Sequence, residues 1–329
     1  MTYDEREKPF ALQHPVQSGF THDSTAAQVL ENVDLHGKKA IVTGGHSGLG
    51  LETTRALVTA GCSVIVASRN KAEAAHAVAD LPRVTVGELD LADLDSVKSF
   101  AHDYLSTHET VDILINNAGI MACPERRVAR GWEAQFAVNH LGHYALANYL
   151  EHGLRRQARV VVVSSAGHHA SDIHWDDLQL RTSYDKWIAY GQSKTANALF
   201  AVRLNELGAD RGLRAYSLHP GKILTPLQRF LTTDEMVQAG WVDSNGCLVD
   251  ATFKTPAQGA ATQVWAATSG RLSDLGGVYC EDCDVAVLAT PGIEPFVGVK
   301  PYAIDPESAE RLWRLSAELV GRDAYRRDR

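Results

Sequence analysis

The stretch that most restricts what this chain can fold into is residues 38–67. Lys38 and Lys39 lead into Ala40-Ile41-Val42-Thr43, a short apolar run of the kind that forms a strand buried on both faces of a parallel sheet. Gly44-Gly45-His46-Ser47-Gly48-Leu49-Gly50 follows directly, then residues 51–60 read as a helix and residues 63–67 as a second strand. Strand, glycine-rich turn, helix and strand within about 30 residues is the βαβ unit that holds a dinucleotide. Glycines let the backbone pass close to a pyrophosphate, and the amides at a helix N-terminus meet its charge. Gly44, His46, Ser47, Gly48, Leu49 and Gly50 are therefore expected at a cofactor. The spacing Thr43-Gly44-x-x-x-Gly48-x-Gly50 differs from Gly-x-Gly-x-x-Gly in having its wide gap first.

After the second strand an acidic ribose ligand is the usual expectation, but Ser68-Arg69-Asn70 stands there. An acid would repel a 2′-phosphate and an arginine attracts one, so Arg69 favours NADP(H) over NAD(H). The plainer alternative is a surface arginine opening the next helix.

Further strand-helix pairs follow. Residues 84–89 read as a third strand, ending at Asp90-Leu91-Ala92-Asp93. Asp93 is placed to cap a helix to about residue 107, and Asp90, with Leu91, stands where an adenine amino group could bind. Residues 113–115 read as a fourth strand, followed by Asn116-Asn117-Ala118-Gly119, either turn formers or small residues that admit a ribose. A long helix is expected over 131–154, carrying Asn139, His140, His143 and Tyr144. Residues 159–163 read as a fifth strand closing on Ser164-Ser165, and 168–186 as a polar insertion. The histidines lack metal-ligand spacing, so no metal site is expected.

Residues 187–207 carry apolar positions at helical spacing. Tyr190 and Lys194, four apart, share one face of that helix. An ammonium beside a phenol favours the phenolate, which brings proton exchange nearer neutral pH than a free pKa of about 10 allows. Residues 213–218 read as a sixth strand, ending at His219-Pro220-Gly221-Lys222-Ile223-Leu224-Thr225. From about 222 to 255 irregular apolar residues suggest a substrate lid, or equally local core or a subunit contact. Helices are expected over 256–267 and 306–319, with a last strand over 276–280. A short helix near residue 26 would be capped by Asp23 or Ser24.

The alternation gives an α/β fold: one doubly wound, Rossmann-type domain with a mainly parallel sheet of about seven strands. An N-terminal arm (1–35), this domain (36–322) and a short tail (323–329) are the expected divisions. A formal charge of -8 and a pI near 5.9 argue against nucleic acid and anionic membrane as partners. Five cysteines, with Cys280 and Cys283 forming a single Cys-x-x-Cys, fit reduced structural thiols better than zinc or redox work. With no apolar run of about 18 residues and no secretory h-region, a cytoplasmic protein is expected.

Taken in order, Thr43-Gly44-x-x-x-Gly48-x-Gly50, Asn116-Asn117-Ala118-Gly119, Asn139, Ser165, Tyr190-x-x-x-Lys194 and Pro220-Gly221 resemble the short-chain dehydrogenase/reductase family over roughly residues 36–320. Finer matches resemble its retinol dehydrogenase and WW-domain oxidoreductase branch: Asn116 through Met121, Phe136 through His143, Leu218 through Gly221, and Leu312-Trp313. No WW module or membrane anchor accompanies them, so a soluble bacterial-type relative fits. The resemblance implies that Tyr190 is the general acid/base, that Lys194 lowers its pKa and binds the nicotinamide ribose, and that Ser165 bonds the substrate oxygen. It implies that Asn139 holds a water relay to Lys194, that Pro220, Gly221 and Ile223 bind the cofactor, and that Thr225 contacts the nicotinamide carboxamide or a phosphate. Ser165 is preferred to Ser164 by its Ser-x-Gly setting. Tyr184 is set aside because Ile188, not lysine, lies four residues on; Tyr190 stands 25 residues beyond Ser165, a wide gap for the family.

The implied reaction moves a hydride between NADP(H) and a hydrophobic ketone, aldehyde or alcohol, in a homo-oligomer. An extended-type epimerase or dehydratase is the runner-up, but its first glycine gap usually holds two residues, not three. A cofactor-binding sensor or scaffold without turnover is disfavoured by the intact Asn139, Ser165, Tyr190 and Lys194 set. A light-dependent protochlorophyllide reductase shares the tyrosine and lysine, but no residue here demands a pigment.

Overall fold

The computed structural model describes residues 8–107 and 110–326. One sheet holds β1 (Lys39–Thr43), β2 (Ser63–Ser68), β3 (Val84–Glu88), β4 (Val111–Asn116), β5 (Leu154–Val163), β6 (Arg214–His219), β7 (Tyr279–Glu281) and β8 (Asp284–Val285). Their order is 8-7-6-5-4-1-2-3. β1 to β7 are parallel, and β8 is antiparallel to β7. The doubly wound class holds, with eight strands in place of about seven. The extra strand escaped notice because two residues show no alternation. The Cys-x-x-Cys makes it: Asp282 and Cys283 have φ of 49° and 60° and form a two-residue hairpin turn between β7 and β8. Cys280 and Cys283 are both free and buried.

The strands alternate between two cores, as the period of two requires. Ile41, Leu114, Val160 and Val162 point to the face covered by α3 (Leu94–Thr107), α4 (Gly142–Tyr149), α5 (Lys186–Leu207) and α7 (Pro306–Val320). Val42, Ile115, Val161 and Val163 point to the face covered by α1 (Gly48–Thr59), α2 (Lys71–Ala77) and α6 (Ala261–Thr268). α5 is buried from Ala189 through Val202 on every side, so its sequence shows little polar stripe.

Three expected boundaries moved. The helix expected over 131–154 is broken: Trp132–Glu133 pairs with Arg127–Val128, a short turn over Ala134–Phe136 follows, and Ala137–Leu141 is wound as a π-helix before α4. The Glu133 carboxylate caps this start, accepting from the amides of Gln135 (2.9 Å) and Phe136 (2.6 Å). The apolar period runs through the widened turn, so the sequence does not betray it. β5 starts earlier, at Leu154, where exposed Arg155 and Arg156 hide the strand. The short helix Ala26–Val29 is capped by Thr25, not Asp23 or Ser24, because Gln28 closes a capping box with Thr25.

Two further segments shape the domain. Gln13 is buried; its amide donates to the carbonyls of Tyr279 (2.8 Å) and Ala286 (2.7 Å) and accepts from the Tyr279 amide (2.9 Å). Asp284 accepts from the amides of Val16 and Ser18, so the arm covers the hairpin edge of the sheet. Residues 222–255 fold over the carboxyl ends of the strands. They contain a 3-10 turn (Pro226–Gln228) and a helix (Thr233–Gln238), which the Lys186–Glu235 ion pair ties to the start of α5.

Gln13 pairs the Tyr279 amide and the Ala286 carbonyl, and adds a second bond to the Tyr279 carbonyl, which also accepts from the Ala286 amide (2.9 Å); Gln13→Ala therefore leaves two backbone groups without this partner. Urea denaturation is expected to show a loss of about 1–3 kcal/mol. A change under about 0.5 kcal/mol would mean that the arm does not stabilise the hairpin.

Candidate active site

The glycine turn after β1 is shaped by contacts no side chain could share. Gly44 has a φ of +65°, and a Cβ on Gly50 would lie 2.2 Å from the Gly44 carbonyl oxygen. Ser47 occupies the N-cap of α1 but its side chain makes no capping bond. The first-turn amides of this 12-residue helix therefore remain for a ligand. Thr225 stands directly over this turn: a Cβ on Gly48 would lie 3.4 Å from the Thr225 Cβ.

Thr43 holds the turn to the rest of the site. Its hydroxyl accepts from the amides of Asn117 and Ala118 (2.9 Å each) and bonds His143 Nε2 (2.9 Å). His143 Nδ1 lies 2.9 Å from the Asn139 carbonyl. Donating there leaves Nε2 to accept from Thr43, and burial pushes this imidazole down to about 4. The sequence marks Thr43 only as the opening of the glycine motif and His143 only as part of the Phe136 through His143 match, with no role for either. Only the fold makes them neighbours.

One cavity of about 1780 Å³ opens along the carboxyl ends of the strands. Gly44, His46, Ser47, Gly48, Leu49, Gly50, Arg69, Asp90, Leu91, Asn117, Ala118 and Gly119 line it, as do Ser165, Tyr190, Lys194, Pro220, Gly221, Ile223 and Thr225. Asn116 and Asn139 lie behind the wall, buried. Among the described residues Asn116 has no hydrogen-bond partner for either side-chain atom, and nothing in its surroundings accounts for that. The Asn117 amide is directed inward, donating to the Thr43 carbonyl (2.9 Å) and accepting from Gln263 (3.3 Å). Asn139 bonds both backbone groups of Ile120 (2.9 Å each) and donates to the Ser193 hydroxyl (2.9 Å). Gly119 separates it from Lys194: a Cβ there would lie 3.1 Å from Asn139 Oδ1 and 3.7 Å from Lys194 Nζ.

The two serines after β5 do different things. The Ser164 hydroxyl donates to the Lys194 carbonyl (2.7 Å), which ties α5 to β5, while the Ser165 hydroxyl accepts from the Gly167 amide (3.0 Å) and stands beside Tyr190: a Cβ on Gly167 would lie 3.3 Å from Ser165 Oγ and 2.7 Å from Tyr190 Cε1. His168 Nδ1 holds the Ser165 carbonyl (2.7 Å). Lys194 Nζ donates to the Val163 carbonyl (3.0 Å) and lies 5.5 Å from the centre of the Tyr190 ring. Tyr184 is engaged elsewhere, donating to the Cys123 carbonyl (2.8 Å) and accepting from Gln135 (3.1 Å).

Burial governs the electrostatics. It pushes the Tyr190 phenol up to about 12, opposed by the Ser165 hydrogen bond, and pushes the Lys194 ammonium down to about 7. The tyrosine shift is opposite to the lowering expected from Lys194. Loss of water is the larger cause of that shift. The apolar cover explains the loss: Met121, Ala122 and Leu231 pack with Tyr190, and Leu227, Met236 and Trp241 close over them.

Comparison with known proteins agrees with this geometry. Residues 38–236 match the family model for short chain dehydrogenase. A Streptomyces antibioticus protein named "Probable oxidoreductase" is 44% identical over 299 residues, covering 88% of this chain and 99% of that one. Retinol dehydrogenase 11 of Mus musculus is 37% identical over 298 residues, covering 88% of each. A solved structure of a Mycobacterium Paratuberculosis protein shares 34% identity at a TM-score of 0.69, covering 91% of this chain and 98% of that one. Among the described residues no helix is long and apolar enough to cross a membrane. The chain belongs to the short chain dehydrogenase family of oxidoreductases, and within it resembles the retinol dehydrogenase branch.

Proposed function

We propose that this protein is an NADP(H)-dependent oxidoreductase that interconverts a hydrophobic ketone or aldehyde and its alcohol, with Tyr190 as general acid/base. The observation that carries this reading is the meeting of Tyr190, Ser165 and Lys194 on one cavity wall under an apolar lid. The residues fit a dinucleotide. The free first turn of α1 suits a diphosphate, the Gly44–Gly50 contact clears its path, and Arg69, exposed on the cavity after β2, suits a 2′-phosphate. A bound nicotinamide would supply the hydride acceptor or donor.

The chain's own residues supply the rest. Ser165 offers its hydroxyl to the substrate oxygen, and Tyr190 gives that oxygen its proton as negative charge develops there. In the reverse direction Tyr190 takes the proton from an alcohol. Lys194 spends one of its three donors on Val163, which leaves the others for a ribose hydroxyl or a water. Asn139 acts as a positioning residue: its amide fixes Ile120 against Ser193 on α5, and its carbonyl is one candidate holder of a relay water. Lid residues Leu227, Leu231, Met236 and Trp241 exclude water, which strengthens each charged contact beneath them.

Three outcomes follow. Tyr190→Phe should lower kcat for carbonyl reduction about 10²–10⁴-fold, read as loss of NADPH absorbance across a panel of hydrophobic ketones and aldehydes. Unchanged turnover in that variant, or no turnover of any panel member by the wild type, would sink the proposal. Arg69→Asp should shift the NADPH/NADH ratio of kcat/KM toward NADH by roughly ten- to a hundredfold, the worth of one charge-assisted hydrogen bond; an unchanged ratio removes the 2′-phosphate assignment. A phenol pushed up to about 12 stays protonated through neutral pH, ready to donate but not to accept. Alcohol oxidation should thus rise steadily from pH 6 to 9 while reduction does not. Parallel profiles in the two directions would show that the tyrosine proton is not the one transferred.

A further inference from the structure

The wall of the cavity beyond Ser165 carries a polar pair that the proton-transfer chemistry does not use. Ser165 follows β5, His219 ends β6 and Glu281 ends β7. His219 and Glu281 are register partners across β6 and β7, so their side chains leave the same face of the sheet edge. Both are partly buried and both line the cavity. The Ala166 amide donates to His219 Nδ1 (3.0 Å), which fixes Nδ1 as the acceptor and leaves Nε2–H as the ring's donor. Burial pushes this imidazole down to about 3, so it stays neutral and keeps that tautomer.

One oxygen of Glu281 accepts from the Gly298 amide (2.9 Å), while the Lys254 ammonium beside it is paired with Asp282 (2.5 Å). Burial pushes this carboxyl up to about 7, so near neutral pH it stands between its neutral and charged forms; in either form it keeps an oxygen able to accept, without an ion pair of its own among the described residues. A donor and an acceptor on adjacent strands are matched by one group in particular: a hydroxyl, which accepts from the imidazole and donates to the carboxyl through a single oxygen. Strands lie about 5 Å apart, so this position is about 5–10 Å along the sheet edge from Ser165.

We infer that His219 and Glu281 form a second polar subsite that selects substrates carrying a hydroxyl several bonds away from the reacting carbonyl. The inference rests on the oxidoreductase reading above and narrows its substrate class from a purely apolar carbonyl compound to a hydroxy-carbonyl compound. An apolar cavity wall would favour the plain ketone, whereas a partly buried acceptor covered by an apolar group and left unpaired penalises it.

Matched pairs of cyclic and linear ketones, with and without a remote hydroxyl, test this with NADPH and the full-length protein. The wild type is expected to prefer the hydroxyketone at least about tenfold in kcat/KM at its best hydroxyl position, chiefly through KM. Glu281→Gln should cut that preference ratio at least about fivefold, and Glu281→Leu should abolish or invert it. The matched alcohols and diols, used as competitive inhibitors, should show the same preference in Ki without depending on the rate of turnover. Turnover of plain ketones with no preference at any hydroxyl position, or a preference that Glu281→Leu leaves intact, overturns the subsite alone. No turnover of either member of any pair overturns the oxidoreductase reading, and the subsite with it.

Discussion

A phenol and an ammonium removed from water side by side are the constraint on which this site depends. Burial moves both toward their neutral forms: the phenol up to about 12, the ammonium down to about 7. For Tyr190 that is roughly 3 kcal/mol against the phenolate, at about 1.36 kcal/mol per pH unit. The cost explains the arrangement around the pair. A carbonyl receives the ammonium, the Ser165 hydroxyl stands near the phenol's ring, and apolar side chains packed on Tyr190 keep water from relaxing its shift. In this geometry the phenol keeps its proton at neutral pH. Acting as an acceptor requires added positive charge or higher pH.

Holding such a pair in place takes a rigid frame, and the frame is hydrogen-bonded rather than merely packed. Thr43 joins the strand before the glycine turn to the Asn117-Ala118 turn, and through His143 to the carbonyl of Asn139. Asn139 joins that network to α5 through Ser193, and Ser164 joins α5 to β5 through the Lys194 carbonyl. The glycine turn and the Tyr190–Lys194 pair are thus ends of one buried network. Polar groups buried this way are costly unless each has its partner, and a satisfied network leaves few alternative arrangements. The π-helical turn at Ala137–Leu141 lies within this frame and carries Asn139 on it.

Much of this was legible in the sequence because its signals are local. A buried strand running into Gly44 through Gly50 can hardly be anything but a βαβ turn, and the four-residue spacing of Tyr190 and Lys194 puts them on one helix face. What stayed hidden depends on contacts far apart in sequence. The β7–β8 hairpin is too short for periodicity, and its turn was visible only as Cys280-x-x-Cys283, a pattern whose familiar meanings are chemical. The partnership of Thr43 with His143 spans 100 residues, and that of Gln13 with Tyr279 spans 266. The direction of the Tyr190 shift was misread because a sequence shows the neighbouring charge but not the missing water.

The most direct measurement is a crystal structure of the complex with NADP⁺ and a hydrophobic ketone, a pairing that cannot turn over. The account predicts the ketone oxygen about 2.6–3.2 Å from both the Tyr190 phenol and the Ser165 hydroxyl, with the lid closed above them. A ketone whose oxygen is held by other groups, with Tyr190 out of reach, would contradict it.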